Sequence, residues 1–210
     1  GLRKRIAERA EKPNEIWHMD VTRYKTVDHK MMYIYTVMDN FSRKILSWEV
    51  SGNLSGKIRL NSLKNAINEQ FLEKKIVKNE IETFDLIVDG GSENNNVTIH
   101  EFIKNCKVGI HKKIALKDVL FANSLIEGNN RILKQTYLKD KELTQEELSD
   151  YISESIKEYN SEKPHYAHKI YTPDEIYENA ELKNATLFFD KLNQQRKQDN
   201  QNYSCGKVCF

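Results

Sequence analysis

Cysteine and proline are scarce in this sequence, with three of each among 210 residues. Cys106, Cys205 and Cys209 form no paired framework of the kind that stabilises small secreted domains, so nothing points to an oxidising compartment. With few prolines, 39% hydrophobic and 30% charged residues, the chain is not collagen-like, mucin-like or wholly disordered. The composition therefore predicts a globular chain with one sizeable domain and leaves its function open.

Long apolar stretches are also missing. The longest, residues 31–38, includes two tyrosines and a threonine and is far too short to cross a bilayer. Residues 1–12 are basic but have no apolar core of the kind found in signal peptides. We therefore expect a cytoplasmic protein with a basic linker over residues 1–12, a folded core over 13–180 and a polar, partly disordered tail over 181–210.

An excess of one sign of charge is present only locally. The net charge of +2 by itself says nothing about nucleic acid, but residues 103–141 contain nine lysines and arginines and only three acidic residues. Such a local excess suits a surface that faces phosphates. An ordinary solvated face of lysines would have the same composition, so this alternative stays open.

Hydrophobic periodicity predicts a mixed α/β fold. Two-residue alternation and short apolar runs predict strands over residues 15–24, 31–39, 44–50 and 84–88. Helical spacing predicts helices over residues 55–71, about 97–105, about 124–138, about 145–159 and from Thr172 onward, where Thr172 and Glu175 form a capping box. Three consecutive strands, a crossover helix and a buried strand imply a layered α/β structure with a mixed sheet.

Two aspartates mark a candidate site. Asp20 lies within the first strand, where aspartate is uncommon, and Asp89 ends the buried strand before Gly90 and Gly91. If these strands are neighbours, the two carboxylates converge where ligands of open α/β sheets usually bind. They would repel each other without a cation, and Mg²⁺ is the natural one because it binds carboxylate oxygens and retains waters. Asp89 alternatively reads as a turn residue that accepts backbone hydrogen bonds.

A third carboxylate, Glu127, lies near the start of the predicted helix at 124–138. Arg131 and Lys134 follow one and two turns later, so Glu127 shares a basic face rather than the apolar stripe. Three carboxylates can hold two metal ions for phosphoryl transfer, with Arg131 and Lys134 as phosphate contacts. Two alternatives remain, because Ser124 and Glu127 also match a capping box and Glu-Arg pairs are common on solvated helices.

Several motifs, taken in order, resemble a known family. They are the aspartate motif at Trp17, Asp20 and Thr22 followed by "YIYTVMDNFSRKILSWEV", then "DGGSE", "ANSLIEGNNRILK" and finally "YNSEKPH" with "YTP". Together they resemble the catalytic core of DDE insertion-sequence transposases, the integrase-core group related to retroviral integrases. The resemblance implies an RNase H-like fold, in which helices flank a mixed five-stranded sheet. It also implies a transposase that cuts and joins DNA with two Mg²⁺ or Mn²⁺ ions held by Asp20, Asp89 and Glu127.

The same resemblance identifies partners and further residues. It places "YNSEKPH" beside the active site, so Asn160 and His165 are candidate DNA contacts, although a turn that ends the helix before Pro164 would look the same. Expected partners are transposon-end DNA, target DNA and further copies of the chain. The helix-turn-helix region usual upstream in that family is missing, so we expect a core fragment. An RNase H-like nuclease that does not join ends and a catalytically silent, domesticated DNA-binding module are the alternative functions.

Overall fold

The computed structural model describes residues 9–73, 82–89, 97–114, 128 and 131–202. Glu127, Cys205 and Cys209 lie outside the described residues. Within them a five-stranded sheet is formed by β1 (Ile16–Lys25), β2 (Met31–Asp39), β3 (Ile45–Ser51), β4 (Thr83–Val88) and β5 (Gly109–Ile114). The strand order is β3-β2-β1-β4-β5. β2 pairs antiparallel with both β1 and β3, whereas β4 pairs parallel with both β1 and β5. The predicted mixed five-stranded sheet is confirmed.

Helices cover both faces of this sheet. They are α1 (Gly56–Ile67), α2 (Val97–Asn105), α3 (Gln145–Lys157), α4 (Pro173–Glu178) and α5 (Leu182–Asn202), with π-helical turns at Asn68–Glu73, Leu133–Leu138 and Glu158–Glu162. On one face, Trp17 and Met19 pack with Leu63 of α1. On the other, Ile34 packs with Leu133 and with apolar residues of α3. Apolar burial on both sides explains why β2 and β4 read as nearly continuous apolar runs.

The predicted capping box at the start of α4 is confirmed. The side-chain oxygen of Thr172 accepts a hydrogen bond from the Glu175 backbone N–H at 3.2 Å. The Glu175 carboxylate accepts one from the Thr172 N–H at 2.8 Å, and Pro173 occupies the first turn, where its missing N–H costs nothing. The local sequence thus fixes where this short helix begins.

A side chain completes the hydrogen bonding at the beginning of β3, an edge strand of the described sheet. The Asn160 side-chain oxygen accepts from the Ile45 N–H at 2.9 Å, and its amide donates to the Ile45 carbonyl at 2.9 Å. Next to it, the Tyr159 hydroxyl donates to the Arg43 carbonyl at 2.9 Å. The helical segment after α3 is therefore fastened to the turn between β2 and β3, and buried backbone groups there have partners.

The predicted disorder of the tail is wrong for residues 182–202, which form the helix α5. This segment contains no glycine or proline, so nothing in it interrupts a helix. Its first turns are anchored, because the Lys183 Nζ atom donates to the Phe41 carbonyl at 3.1 Å and Lys169 pairs with Asp190 at 2.6 Å. Polar composition here gives an exposed helix rather than an unstructured one. None of the described helices is apolar over enough of its length to span a membrane.

Candidate active site

The pairing of β1 with β4 brings the two predicted aspartates together. The strands run parallel, and their last matched pair is Met19 with Val88. Asp20 and Asp89 are the next residues along each strand, and neighbouring strands lie roughly 4.8 Å apart. The predicted convergence of the two positions is therefore seen in the register, at the point where β4 ends and β1 continues.

The alternation of side chains along β1 determines which face of the sheet Asp20 occupies. Because Trp17 and Met19 pack toward α1, Asp20 lies on the opposite face. That face is covered by the turn Leu133–Leu138, whose Leu133 packs against Ile34 in the adjacent strand. The helical segment that carries the predicted phosphate contacts thus covers the same face of the sheet as Asp20.

The third predicted acid, Glu127, lies outside the described residues, but Gly128 after it is described. An ideal β-carbon built on Gly128 would lie 3.8 Å from the Tyr166 hydroxyl oxygen. Arg131 and Lys134 are both exposed, as a phosphate contact requires. The segment after "YNSEKPH" therefore lies beside the residue that follows Glu127, and both predicted basic side chains reach solvent.

The other two predicted DNA contacts, Asn160 and His165, lie inside the fold. Asn160 is 9% exposed and both ends of its amide bond to Ile45. His165 is 4% exposed, and its Nδ1 atom accepts a hydrogen bond from the Ala167 N–H at 3.1 Å. Both side chains have structural partners, and a DNA contact from either stays a prediction without support from this geometry. The neighbouring Tyr166, 67% exposed, is the side chain of this turn that solvent reaches most.

Three buried histidines surround the turn between β2 and β3. His18 accepts a hydrogen bond from the Asn40 side-chain amide at 2.7 Å, and His168 donates to the Ser42 carbonyl at 2.6 Å. Burial lowers the pKa of His18 to about 4, that of His168 to about 4 and that of His165 to about 3. Positive neighbours lower each pKa further, Arg43 being common to all three. At neutral pH these imidazoles are uncharged, and they serve packing and hydrogen bonding.

An arginine that the sequence analysis missed approaches the aspartate pair from α1. The Arg59 Nη1 atom lies 3.5 Å from Asp89 Oδ1, and the Arg59 side chain is 1% exposed whereas that of Asp89 is 41% exposed. Its positive charge also lowers the pKa of Lys112 in β5, after the larger effect of burial. The available signal was an arginine on the apolar face of α1, one turn before Leu63, where a charged residue is rarely buried without a partner.

The donor set of the aspartate pair fits a hard divalent cation. Asp20 and Asp89 offer carboxylate oxygens from adjacent positions, the ligand type that Mg²⁺ and Mn²⁺ prefer. The Asp20 Oδ1 atom also accepts a hydrogen bond from the Val21 N–H at 2.8 Å, which restricts the orientation of this carboxylate. Within the ranges that the structure describes, no three acidic, histidine or cysteine side chains form a cluster that could hold a metal ion.

The sheet order and the covering helices form the RNase H-like fold of retroviral integrase core domains. The HTLV-2 integrase catalytic core domain in complex with magnesium, trimeric form, superposes with a TM-score of 0.57 at 18% identity, over 80% of this chain and 99% of that chain. A chain of the simian T-cell lymphotropic virus intasome in complex with PP2A regulatory subunit B56 gamma superposes with a TM-score of 0.64 at 17% identity. This match covers 82% of the present chain and 57% of the intasome chain. The catalytic core domain of BIV integrase superposes with a TM-score of 0.54 at 19% identity, and the match covers 80% of the present chain and 96% of that domain.

The sequence comparisons point to integrase cores and transposases. Residues 10–111, just under half of the chain, match the family model of the integrase core domain, and the chain is also similar to a curated transposase. It is 22% identical over 156 residues to the transposase for insertion sequence element IS904 of Lactococcus lactis subsp. lactis (strain IL1403). That match covers 74% of this chain and 57% of the relative, so the chain spans little more than half the length of the curated transposase.

Proposed function

We propose that this chain is the catalytic core of a DNA transposase, which cleaves transposon ends and joins them to target DNA. The observation that carries the proposal is the register of β1 and β4, which sets Asp20 and Asp89 side by side. The integrase-core match over residues 10–111 and the bacterial transposase relative support the same reaction. A location in the bacterial cytoplasm, where this DNA lies, stays a prediction.

Asp20, Asp89 and Glu127 are the proposed ligands of two Mg²⁺ or Mn²⁺ ions. Such ions, when bound, supply Lewis-acid activation and neutralise the charge that develops on oxygen during phosphoryl transfer. The HTLV-2 integrase core, which shares the fold, is described in complex with magnesium, and this supports the same cation here. Asp20 is suited to the role because β1 continues on both sides of it and the Val21 N–H holds one of its oxygens.

Arg131 and Lys134 are the proposed phosphate contacts. Both are exposed on the helical segment that covers the Asp20 face of the sheet. Contacts of this type position the DNA backbone and carry no sequence information of their own. Selection of the target would therefore depend weakly on base sequence, and we propose that several copies of the chain assemble on DNA so that two ends can be joined.

Replacing Lys134 or Arg131 with alanine should weaken DNA binding about equally for all sequences. Each phosphate contact that is lost removes one released counterion, so the slope of log K against log salt concentration should fall by about 1 for each variant. Fluorescence anisotropy with a labelled duplex between low and moderate salt would measure this slope. Lys30→Ala, at a side chain 57% exposed in the turn between β1 and β2, is the matched control. Slopes equal to that of the control would refute the assignment.

An assay of cleavage and joining in one reaction tests the function as a whole. A branched DNA substrate carrying both an end and a target segment would be incubated with Mn²⁺, with Mg²⁺ and with a chelator, and the products would be resolved on a denaturing gel. Metal-dependent cleavage with a joined product is the expected result. Metal-dependent cleavage without joining would favour the nuclease. DNA binding without either product would favour the catalytically silent DNA-binding module.

A further inference from the structure

Arg59 is a buried cation within reach of the proposed metal site. It lies on the face of α1 that packs on the sheet, together with Leu60 and Leu63, and only 1% of it is exposed. Asp89, by contrast, sits at the end of β4 and is partly open to solvent. The guanidinium extends from the buried side to the carboxylate, with Nη1 3.5 Å from Oδ1. One carboxylate therefore faces a fixed internal cation on one side and solvent on the other.

The burial of this charge requires compensation. A guanidinium removed from water loses its hydration, and this loss is tolerated only where opposite charge and hydrogen bonds replace it. The aspartate pair has the complementary problem, because Asp20 and Asp89 occupy adjacent register positions and repel each other when both are ionised. A cation beside Asp89 offsets both costs at once. Arginine suits this place because its guanidinium is more weakly hydrated than an ammonium group and donates from several nitrogen atoms in a fixed geometry.

We infer that Arg59 is a positioning residue of the metal site, which neutralises Asp89 and fixes its carboxylate when no divalent ion is bound. The inference rests on the proposed function, since it assigns Arg59 a role toward the ion that Asp20 and Asp89 would hold. Arg59 therefore keeps the aspartate pair assembled without metal and opposes metal binding by its charge.

The pairing is tested first without any metal. Urea unfolding of the wild type, Arg59→Gln, Asp89→Asn and the double variant gives a double-mutant cycle in chelator-containing buffer. If Arg59 neutralises Asp89, Arg59→Gln is less stable than the wild type, and the double variant is more stable than the sum of the two single changes predicts. Additive changes in the free energy of unfolding would overturn the pairing. Arg59→Lys, which retains a charge, covers the case in which Arg59→Gln does not fold.

The effect on metal binding is tested by the rise in melting temperature during a Mn²⁺ titration. Loss of a positive charge beside the site should lower the Mn²⁺ midpoint of Arg59→Gln roughly tenfold, the scale of one Coulomb interaction at a few ångströms in water. Arg59→Lys should stay close to the wild type. Arg196→Gln, at an exposed position of α5, is the control for an arginine lost elsewhere.

The outcomes separate this inference from the proposed function. An unchanged or higher Mn²⁺ midpoint in Arg59→Gln would overturn the inferred role, because an arginine that serves packing alone changes the melting temperature but not the metal response. A wild type that shows no response to Mn²⁺ would refute metal binding by the aspartate pair, and with it the metal part of the inference. The metal-free cycle would still decide whether Arg59 and Asp89 form a pair.

Discussion

Asp20→Asn should remove DNA cleavage and joining while the protein remains folded. Asparagine has the shape of aspartate and keeps a side-chain oxygen for the Val21 N–H, so the local structure of β1 is preserved. The negative charge that attracts a divalent ion is lost. A loss of about 4 kcal/mol of transition-state stabilisation corresponds to roughly a thousandfold in rate. Initial rates of end cleavage in Mn²⁺, together with the melting temperature of each variant, measure both parts of the expectation.

A matched substitution and a companion variant complete this test. Asp28→Asn removes the charge of an aspartate in the turn between β1 and β2, where its partner is Lys30 at 3.1 Å, and should leave the rate unchanged. Glu127→Gln should behave like Asp20→Asn, since glutamine still serves a capping box but holds a cation poorly. An Asp20→Asn variant that keeps a tenth or more of the wild-type rate would remove Asp20 from the proposed ligand set.

On acidification this protein should begin to lose stability at a higher pH than protonation of its carboxylates alone would cause. His18, His165 and His168 have pKa values of about 4, 3 and 4 in the folded chain and about 6.5 when unfolded. The unfolded state therefore binds more protons below pH 6.5, so stability is complete above that pH and falls as the pH drops toward 4. Over this pH range each histidine contributes about 2–3 kcal/mol to the free energy of unfolding, which for a typical domain totals about 5–15 kcal/mol.

Urea unfolding at several pH values from 7.5 to 5.0 would measure this loss while most carboxylates remain ionised. His18→Gln, whose amide can still accept the Asn40 hydrogen bond, should lower the slope of unfolding free energy against pH below 6.5 by up to about 1.4 kcal/mol per unit. His111→Gln, at a side chain 70% exposed, should leave the slope unchanged. A wild type equally stable at pH 7.5 and 5.0 would show that the buried imidazoles do not control acid stability.

The sequence predicted the parts of the fold that repeat a local pattern. Alternation or apolar runs in the sequence predict β1 to β4, and a capping box predicts the start of α4. β5 was missed because only Ile110 of its six residues is buried, so its lysines read as charge rather than as an edge strand. α5 was missed because polar composition is a poor guide to helix formation once the first turns are anchored by tertiary contacts.

The residues of the candidate site likewise fall into those that a local pattern predicts and those that it does not. Asp20 and Asp89 could be selected because aspartates are unusual in strands, and their adjacency followed once β1 and β4 were neighbours. Arg59 could not be assigned to them, since the contact joins a helix and a strand end whose relative placement depends on the packing of the whole sheet. The position of Asn160 in a motif favoured DNA, whereas only the folded structure shows that its amide completes the hydrogen bonding of β3.

The order in which the chain folds determines when the site can exist. Met19 pairs with Val88, so the two aspartates meet only after β1 has paired in parallel with a strand far along the chain. Pairings of this range form late and slowly compared with the hairpins that join β1, β2 and β3. A nascent or partly folded chain therefore keeps its two carboxylates apart and has no pair with which to hold a divalent ion. The proposed metal site would therefore exist only when folding is nearly complete.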